Sequence, residues 1–505
     1  MNAGRAPRAE AYDVVVIGSG LAGLMAAAMS AKEGKSVLVV EQEKSLGGYA
    51  HGFRRGDYSF DAGIHGTSFG TIEPTLPTIL DDLGVGDSVE FVNCGEPLFS
   101  AFFPDFRFDA PNGGDEFVAA HAELFPDDAD SFRRMYREMQ SITEQLTRPR
   151  PAGSISSLAE ADGGFDTLLR YRTATVSEVF EKYSLSERLG ALLSVSWVNL
   201  GLPPSRLSFV SWAAMAVVRA ETGEHYCRGS FQRLVDALTQ AIESFGGDIV
   251  VEMPARKVLL EDGRASGVRL DDGTEVRADA VVSNADARQT FEQLVGLEHL
   301  SATFARRLSK MRESLSAFVL YAAAAIPRDA VELPHVSYIH DSWDHEASSA
   351  RMAQGELPSL MLTVPTLVDP SLAPPGEQLF NCVALVERGE DEQWARSKEH
   401  AIELLIERID KVQPGFRDKL TFAEAATPAA LEHHSWNYRG AAYGWENSPR
   451  QVGSRRLSSV TPIAGLYLAS QWAQPGTGSL AAIYSGLRAA NLALGRPAEH
   501  LGAAT

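Results

Sequence analysis

Hydrophobic positions open the chain as a block. Residues 12–17 form a β-branched run with no breaker, and Gly18-Ser19-Gly20-Leu21-Ala22-Gly23 follows at once. An Ala- and Met-rich stretch of helical character continues to about Glu33, where Gly34 stops it. Residues 36–40 read as a second buried strand ending in Glu41. Strand, tight glycine turn, helix and parallel strand in this order make a βαβ unit.

Further along, residues 91–111 are aromatic and strand-like, while 115–146 and 177–220 have mainly helical spacing. A Pro/Gly/Ser-rich connection at 149–164 separates the two helical stretches. The segment 192–218 is unusually apolar but broken by Pro203-Pro204 and Arg206, and 231–245 is helical up to Gly246-Gly247. The period then changes to two. Residues 249–251, 257–260 and 267–270 read as short strands with Val276 pairing among them, and the turn dipeptides Asp262-Gly263 and Asp272-Gly273 make the set a β-meander. Residues 280–283 form another buried strand. Segments 316–326, 359–364 and 380–386 resemble strands of a different sheet, 398–409 is helical, and a final apolar strand (465–470) leads to a final helix (479–494). A nucleotide element at the start and a matching strand-loop-helix at the end suggest one α/β domain built from both termini. Residues 10–105, 225–290 and 440–498 are assigned to it. Residues 106–224 and 291–439 then form an α+β substrate domain with an apolar helical cap.

Composition narrows the function. The 505 residues suit about three domains or two interleaved ones, and 45% hydrophobic with 22% charged residues is ordinary for a globular chain. The net charge of −20 repels phosphate, which argues against nucleic acid as a partner and leaves at most weak peripheral contact with an anionic membrane. Cys94, Cys227 and Cys382 lie far apart, with no CxxC pair, so neither a disulfide scaffold nor a cysteine metal site is expected. No secretory signal is visible and the longest apolar run, 317–326, is too short to span a bilayer, so a cytoplasmic setting is expected.

The glycines carry the first chemistry. Gly18 permits the tight turn, Gly20 lets the backbone approach a pyrophosphate, and Gly23 lets helix and strand pack closely. The helix N-terminus offers free N–H groups to the diphosphate. Glu41 can accept hydrogen bonds from both hydroxyls of an adenosine ribose, and its carboxylate would repel the 2′-phosphate of NADP. The competing reading is a plain glycine turn in an α/β protein. Beyond Glu41, a second glycine pair, Gly47-Gly48, can bring the chain alongside the extended diphosphate and ribityl portion of a flavin cofactor.

Here the chain resembles the flavoprotein amine-oxidase and phytoene-desaturase superfamily, whose signature is GxGxxG, seventeen residues, Glu, five residues and Gly-Gly. This sequence matches that spacing completely. Over residues 12–495 the similarity runs to phytoene desaturases, carotenoid isomerases and relatives that reduce or cyclise polyenes. The resemblance implies a glutathione-reductase-like, Rossmann-type FAD domain with a β-meander, and FAD held by Gly18, Ser19, Gly20, Ala22, Gly23, Glu41, Gln42, Gly47 and Gly48. It further implies that Ala62, Gly63 and Ile64, in Phe60-Asp61-Ala62-Gly63-Ile64-His65, return beneath the flavin ring. Asn284 ends the meander and return strand. Ala255 stands where a Val usually contacts adenine through its backbone. Near the C-terminus, residues 465–480 resemble the family's last flavin motif. Gln471 replaces a frequent acidic residue, and Gly476 and Gly478 let the backbone approach the ring. The helix start at Ser479 and Leu480 would face the pyrimidine edge, its dipole favouring negative charge on reduced flavin.

No second Rossmann turn is present, so electrons must come from substrate, from transient NAD(P)H docking or from another donor. The candidates for proton delivery are His65 and Tyr443, each with a structural role as its alternative. His51 and the His433-His434 pair lack carboxylate spacing for a metal and read as structural. Trp197, Trp212 and Met215 read as core or as the wall of an apolar tunnel for a long polyene. Three functions follow: an FAD oxidoreductase on a polyene or isoprenoid chain, by reduction, reductive cyclisation, desaturation or isomerisation; a flavin amine oxidase; or a non-catalytic isoprenoid binder like the prenyl-protein escort proteins, against which Glu41 and Gly47-Gly48 argue.

Overall fold

The computed structural model describes residues 6–69, 75–148 and 164–498. The Pro/Gly/Ser-rich connection expected at 149–164 therefore lies outside the described residues, apart from Gly164. Two seven-stranded sheets organise the rest. In spatial order the first runs Ala255–Glu261, Arg264–Leu270, Glu275–Ser283, Ala11–Ile17, Val37–Val40 and Asp248–Val250, with Leu466–Leu468 joined to Glu275–Ser283. Ala11–Ile17 pairs in parallel with both Val37–Val40 and the second half of Glu275–Ser283. Buried on both faces, the four residues Val37–Val40 are all apolar, as such strands must be.

The helix Leu21–Lys32 is apolar almost all round, which an amphipathic surface helix is not, and its surroundings explain why. It lies under the helices Gln232–Ser244 and Ser479–Ala493, so ten of its twelve residues are buried. The last helix crosses it at Gly486, beside the Ala22 carbonyl and the Met25 side chain. Both ends of the chain thus close onto one element.

The second sheet runs Leu420–Ala426, Ser316–Ala324, Gln378–Val386, Ser359–Thr363, Val336–His340, Phe99–Phe103 and Phe106–Ala110. Ser316–Ala324 is buried along its whole length and serves two cores by alternation. Phe318, Leu320 and Ala322 pack towards the helix Asp391–Val412, while Ala317, Val319, Tyr321 and Ala323 face the helical layer that includes Ala129–Thr147 and Phe209–Thr222.

Three expectations change. Residues 249–251 do not belong to the meander: Asp248–Val250 is the parallel edge strand beside Val37–Val40. Val276 pairs within the meander as expected, opposite Val268, but it and residues 280–283 are not on separate strands. They lie on one nine-residue strand, Glu275–Ser283, whose first half completes the meander and whose second half joins the parallel sheet. Finally, a domain boundary at 105 cuts a hairpin. Phe99–Phe103 pairs antiparallel with Phe106–Ala110 and parallel with Val336–His340, so both strands belong to the second sheet.

The crossing at Gly486 yields a test. A Cβ there would lie 2.4 Å from the Ala22 carbonyl oxygen and 2.8 Å from Met25 Cβ. Gly486→Ala should force the helices apart and destabilise the protein by about 1–3 kcal/mol, read as a lower urea midpoint. An unchanged midpoint would show that the two ends do not meet this closely.

Candidate cofactor and active site

The glycine turn is shaped by one side chain as much as by its own residues. Asn284 follows the strand Glu275–Ser283, and its N–H donates to the Ile17 carbonyl (2.8 Å). Its Nδ2 donates to the Ala469 carbonyl (2.5 Å), tying the N-terminal turn to the last strand. Cβ atoms built on Gly18, Gly20 and Gly23 would each meet Asn284, and one on Gly23 would also stand 2.2 Å from the Gly18 carbonyl oxygen. Gly18 adopts φ +94°, which only glycine takes without strain. No side chain caps the helix at Gly20, so its first N–H groups are left for an anion.

Glu41 stands where the spacing requires, at the end of the second strand, and is buried. Its Oε2 already accepts from Ser19 N (2.8 Å) and Ser19 Oγ (2.6 Å), and Oε1 from Glu43 N (2.9 Å). Ser19 therefore turns its hydroxyl inward to Glu41 and not outward, and Ala22 is spent on helix packing. Gly47 N donates to Ser19 O (3.1 Å), and a Cβ on Gly48 would touch Gly20 Cα, so the second glycine pair lies directly on the first turn. Gln42 Nε2 donates to the His434 carbonyl (3.2 Å). Ala255 is buried two residues beyond Met253, whose N–H donates to the Glu41 carbonyl (2.9 Å).

The trail of bare backbone continues. Gly48 is exposed, Gly63 is exposed and seated against Tyr49, and Gly478 is exposed with nothing within 4 Å of a built Cβ. Thr67 Oγ1 and Ser479 Oγ are 3.1 Å apart, joining the segment after Ile64 to the start of the last helix, where Leu480 is half-buried. Gln471 contributes its carbonyl, which accepts from Arg456 Nη2 (2.8 Å) and Nε (3.1 Å).

Below this trail sits a buried polar floor. Asp61 accepts from Tyr226 OH, from Ser230 Oγ (2.7 Å) and from Phe231 N (2.8 Å). Burial nonetheless raises its carboxyl to about 6, against the lowering effect of those donors. His65 is buried, its carbonyl accepting from His335 Nε2 (2.9 Å) and its Nδ1 lying 3.5 Å from Asn381 Nδ2. Its Nε2 has no partner. Burial, with His335 adding repulsion, lowers its pKa to about 4, so the ring is neutral at pH 7. Tyr443 is placed differently: its hydroxyl donates to the Val198 carbonyl (3.1 Å). No sequence signal pointed to the donors to Asp61, to Asn381 or to Arg456, because they come from strands and loops distant in the chain. Only the adjacency of Asp61 to Ala62-Gly63 hinted at the first.

Residues 21–494 match the family model described as flavin containing amine oxidoreductase. The chain belongs to this family. Prolycopene isomerase 1 of an Oncidium hybrid cultivar is 28% identical, over 97% of this chain and 85% of that protein. The neurosporene-forming phytoene desaturase of Rhodobacter capsulatus is 27% identical, over 94% and 92%. An all-trans-retinol 13,14-reductase of Danio rerio is 24% identical, over 92% and 82%. Among solved structures, putrescine oxidase shares the fold with a TM-score of 0.68 at 16% identity, covering 96% of this chain and 99% of that one.

As a flavin oxidoreductase of this family the protein uses FAD, and the residues fit it. A side chain at Gly18, Gly20, Gly23 or Gly48 would crowd the turn, and at Gly478 it would fill the open space beside the last helix. When bound, FAD supplies the two-electron chemistry, and the chain supplies binding, orientation and electrostatics. Among the described residues no helix is long and apolar enough to cross a membrane.

Asp61 generates a pH prediction. Its carboxyl keeps a proton up to about pH 6 in the folded chain against an ordinary value of 3.8. The stability this confers is complete below pH 3.8 and is lost as pH rises through 6. Asp61→Asn removes that dependence. The stability of the variant relative to wild type should rise with pH between about 4 and 6 by up to about 1.4 kcal/mol per pH unit in urea unfolding. A difference that stays flat would contradict a buried, proton-holding carboxyl.

Proposed function

We propose that the protein is an FAD-dependent oxidoreductase acting on a long conjugated polyene or isoprenoid chain in natural-product biosynthesis. The reaction is a two-electron reduction or reductive cyclisation, or the reverse desaturation. The observation that carries this reading is an apolar helix that ends at the ring-side segment of the glycine-lined groove. Helix Phe209–Thr222 buries Phe209, Trp212, Ala213 and Val217 but leaves Val210, Ala214, Met215 and Val218 half-exposed. It runs up to the ring-side segment, where Ser68 Oγ donates to the Gly223 carbonyl (2.9 Å) and Thr67 N to the His225 carbonyl (2.9 Å). An apolar helix at that place suits an extended hydrocarbon substrate, and the relatives' names, an isomerase, a desaturase and a reductase, agree with it.

In this reading the sites divide as the sequence suggested. The two glycine pairs, Asn284 and the start of the last helix hold the cofactor, and segment 62–64 lies against its ring. His65, neutral and with a free Nε2, is the better candidate for holding a proton near the reacting carbons. Tyr443 positions the loop through Val198. NAD(P)H serves as a transient donor where the direction is reductive. The three free cysteines and the charge of −20 support a cytoplasmic setting with little membrane contact.

The protein should purify yellow with flavin absorbance, and anaerobic NADPH should bleach it if it is a reductase. Product analysis with a candidate polyene should show a gain of two hydrogens with NADPH, or a loss of two with an electron acceptor. Peroxide release from simple amines with inert polyenes would replace this reading by an amine oxidase. His65→Gln should keep its FAD content but lower product formation by roughly 10²–10⁴-fold if the imidazole delivers a proton. Unchanged turnover would reduce it to a structural residue.

A further inference from the structure

Arg456 is buried as deeply as any large core residue, with 1% of its surface exposed. It lies in the loop before the last strand and reaches into the C-terminal motif. Its Nη2 faces the carbonyls of Tyr443 (3.1 Å), Trp445 (3.2 Å) and Gln471 (2.8 Å) and the hydroxyl of Thr477 (3.0 Å). Its Nε donates to Gln471 as well. Every one of these partners is neutral. Among the described residues it makes no ion pair, and no carboxylate charge acts on it; desolvation alone lowers its pKa, to about 9, which leaves it charged at neutral pH. Its Nη1 is buried without any partner.

An uncompensated buried cation is costly in general, and such groups are normally paired. Of the other buried arginines, one is paired and one is held by carbonyls alone. Arg219 pairs with Glu224 (2.6 Å), whereas Arg408 holds the carbonyls of Ile339 and Pro358 on the far side of the second sheet. Arg456 is set apart by its place: the Thr477 hydroxyl it holds is next to Gly478, whose exposed backbone borders the open space at the start of the last helix.

We propose that Arg456 is a positioning residue that also acts electrostatically. It fixes loop 471–477 and supplies a positive charge that favours the reduced, electron-rich form of the bound FAD. The inference rests on the FAD reading above and deepens it. A fixed charge in a water-excluded site acts more strongly than in water, and it adds to the partial positive charge of the last helix's N-terminus.

The test is the midpoint potential of the purified holoenzyme, by anaerobic dye equilibration, for wild type, Arg456→Gln and Arg456→Lys. Arg456→Gln should lose at least about tenfold in its preference for reduced over oxidised FAD, a fall of about 30 mV for a two-electron couple. Arg456→Lys, which keeps the charge but cannot span Gln471 and Thr477 together, should melt earlier yet stay within about threefold of wild type in that preference. An Arg456→Gln enzyme that melts earlier at an unchanged potential would make Arg456 a fastener only and overturn the proposal. Where Arg456→Gln does not fold, Arg456→Lys decides: a held potential with a loosened loop supports the charge, and a potential falling by the tenfold equivalent refutes it. Wild-type protein that takes up no FAD would sink the underlying reading, whereas a flavoprotein with an unresponsive potential sinks only this one.

Discussion

The close approach of backbone at Asn284 is the constraint on which the site depends. The strand before it hydrogen-bonds to Ala11–Ile17 on one side and to Leu466–Leu468 on the other. The asparagine then bonds the carbonyls of Ile17 and Ala469, one from each end of the chain. That geometry leaves no room for Cβ atoms at Gly20 or Gly23. The glycines are therefore consequences of how near two strands and a helix must come, and the groove for a diphosphate is the space their missing side chains leave.

A second regularity concerns the polar groups around the groove. The segments that line it are mostly loops, whose backbone groups no ladder satisfies. Buried side chains take over that role. Asp61 takes the Phe231 N–H, His335 binds the His65 carbonyl, Tyr321 OH binds the Ala62 carbonyl (2.7 Å), and Arg456 gathers the carbonyls of residues 443, 445 and 471. Each buried donor or acceptor costs desolvation, and each fixes an irregular segment in one conformation. The shifted pKa values of Asp61 and His65 follow from that role, since burial is the largest cause in both.

The parallel half of the first sheet was legible because its determinants are local. A β-branched run, a glycine turn, an apolar helix and a terminal glutamate fall within one stretch of chain, and their spacing alone places Glu41 beside the turn. The last strand and helix were legible for the same reason. The meander was misread at both ends because Asp248–Val250 and Glu275–Ser283 choose partners far away in sequence, which periodicity does not encode. The expected domain boundary at 105 falls inside the hairpin Phe99–Ala110 on similar grounds: its aromatic residues show that it is buried, and only the parallel pairing with Val336–His340 shows against what. Side-chain commitments were the least legible. Nothing in the motif says that Ser19 Oγ turns to Glu41, or that the Tyr443 hydroxyl is occupied by Val198.

One scaffold can serve opposite reactions, and the two observations about helix and charge bear on how. Adding or removing two hydrogens across a polyene needs the same alignment of hydrocarbon and cofactor, so an apolar helix beside the site does not distinguish them. What distinguishes them is the relative stability of the two redox states and the reach of a donor. Gln471 is neutral at a position where the resemblance leads to an acidic residue, and its carbonyl faces Arg456. That contact is to the backbone of residue 471, so it needs no particular side chain there, and the guanidinium keeps its charge among neutral partners. On the proposed reading, then, the direction of the reaction is written in the charges behind the last flavin loop and not in the apolar helix.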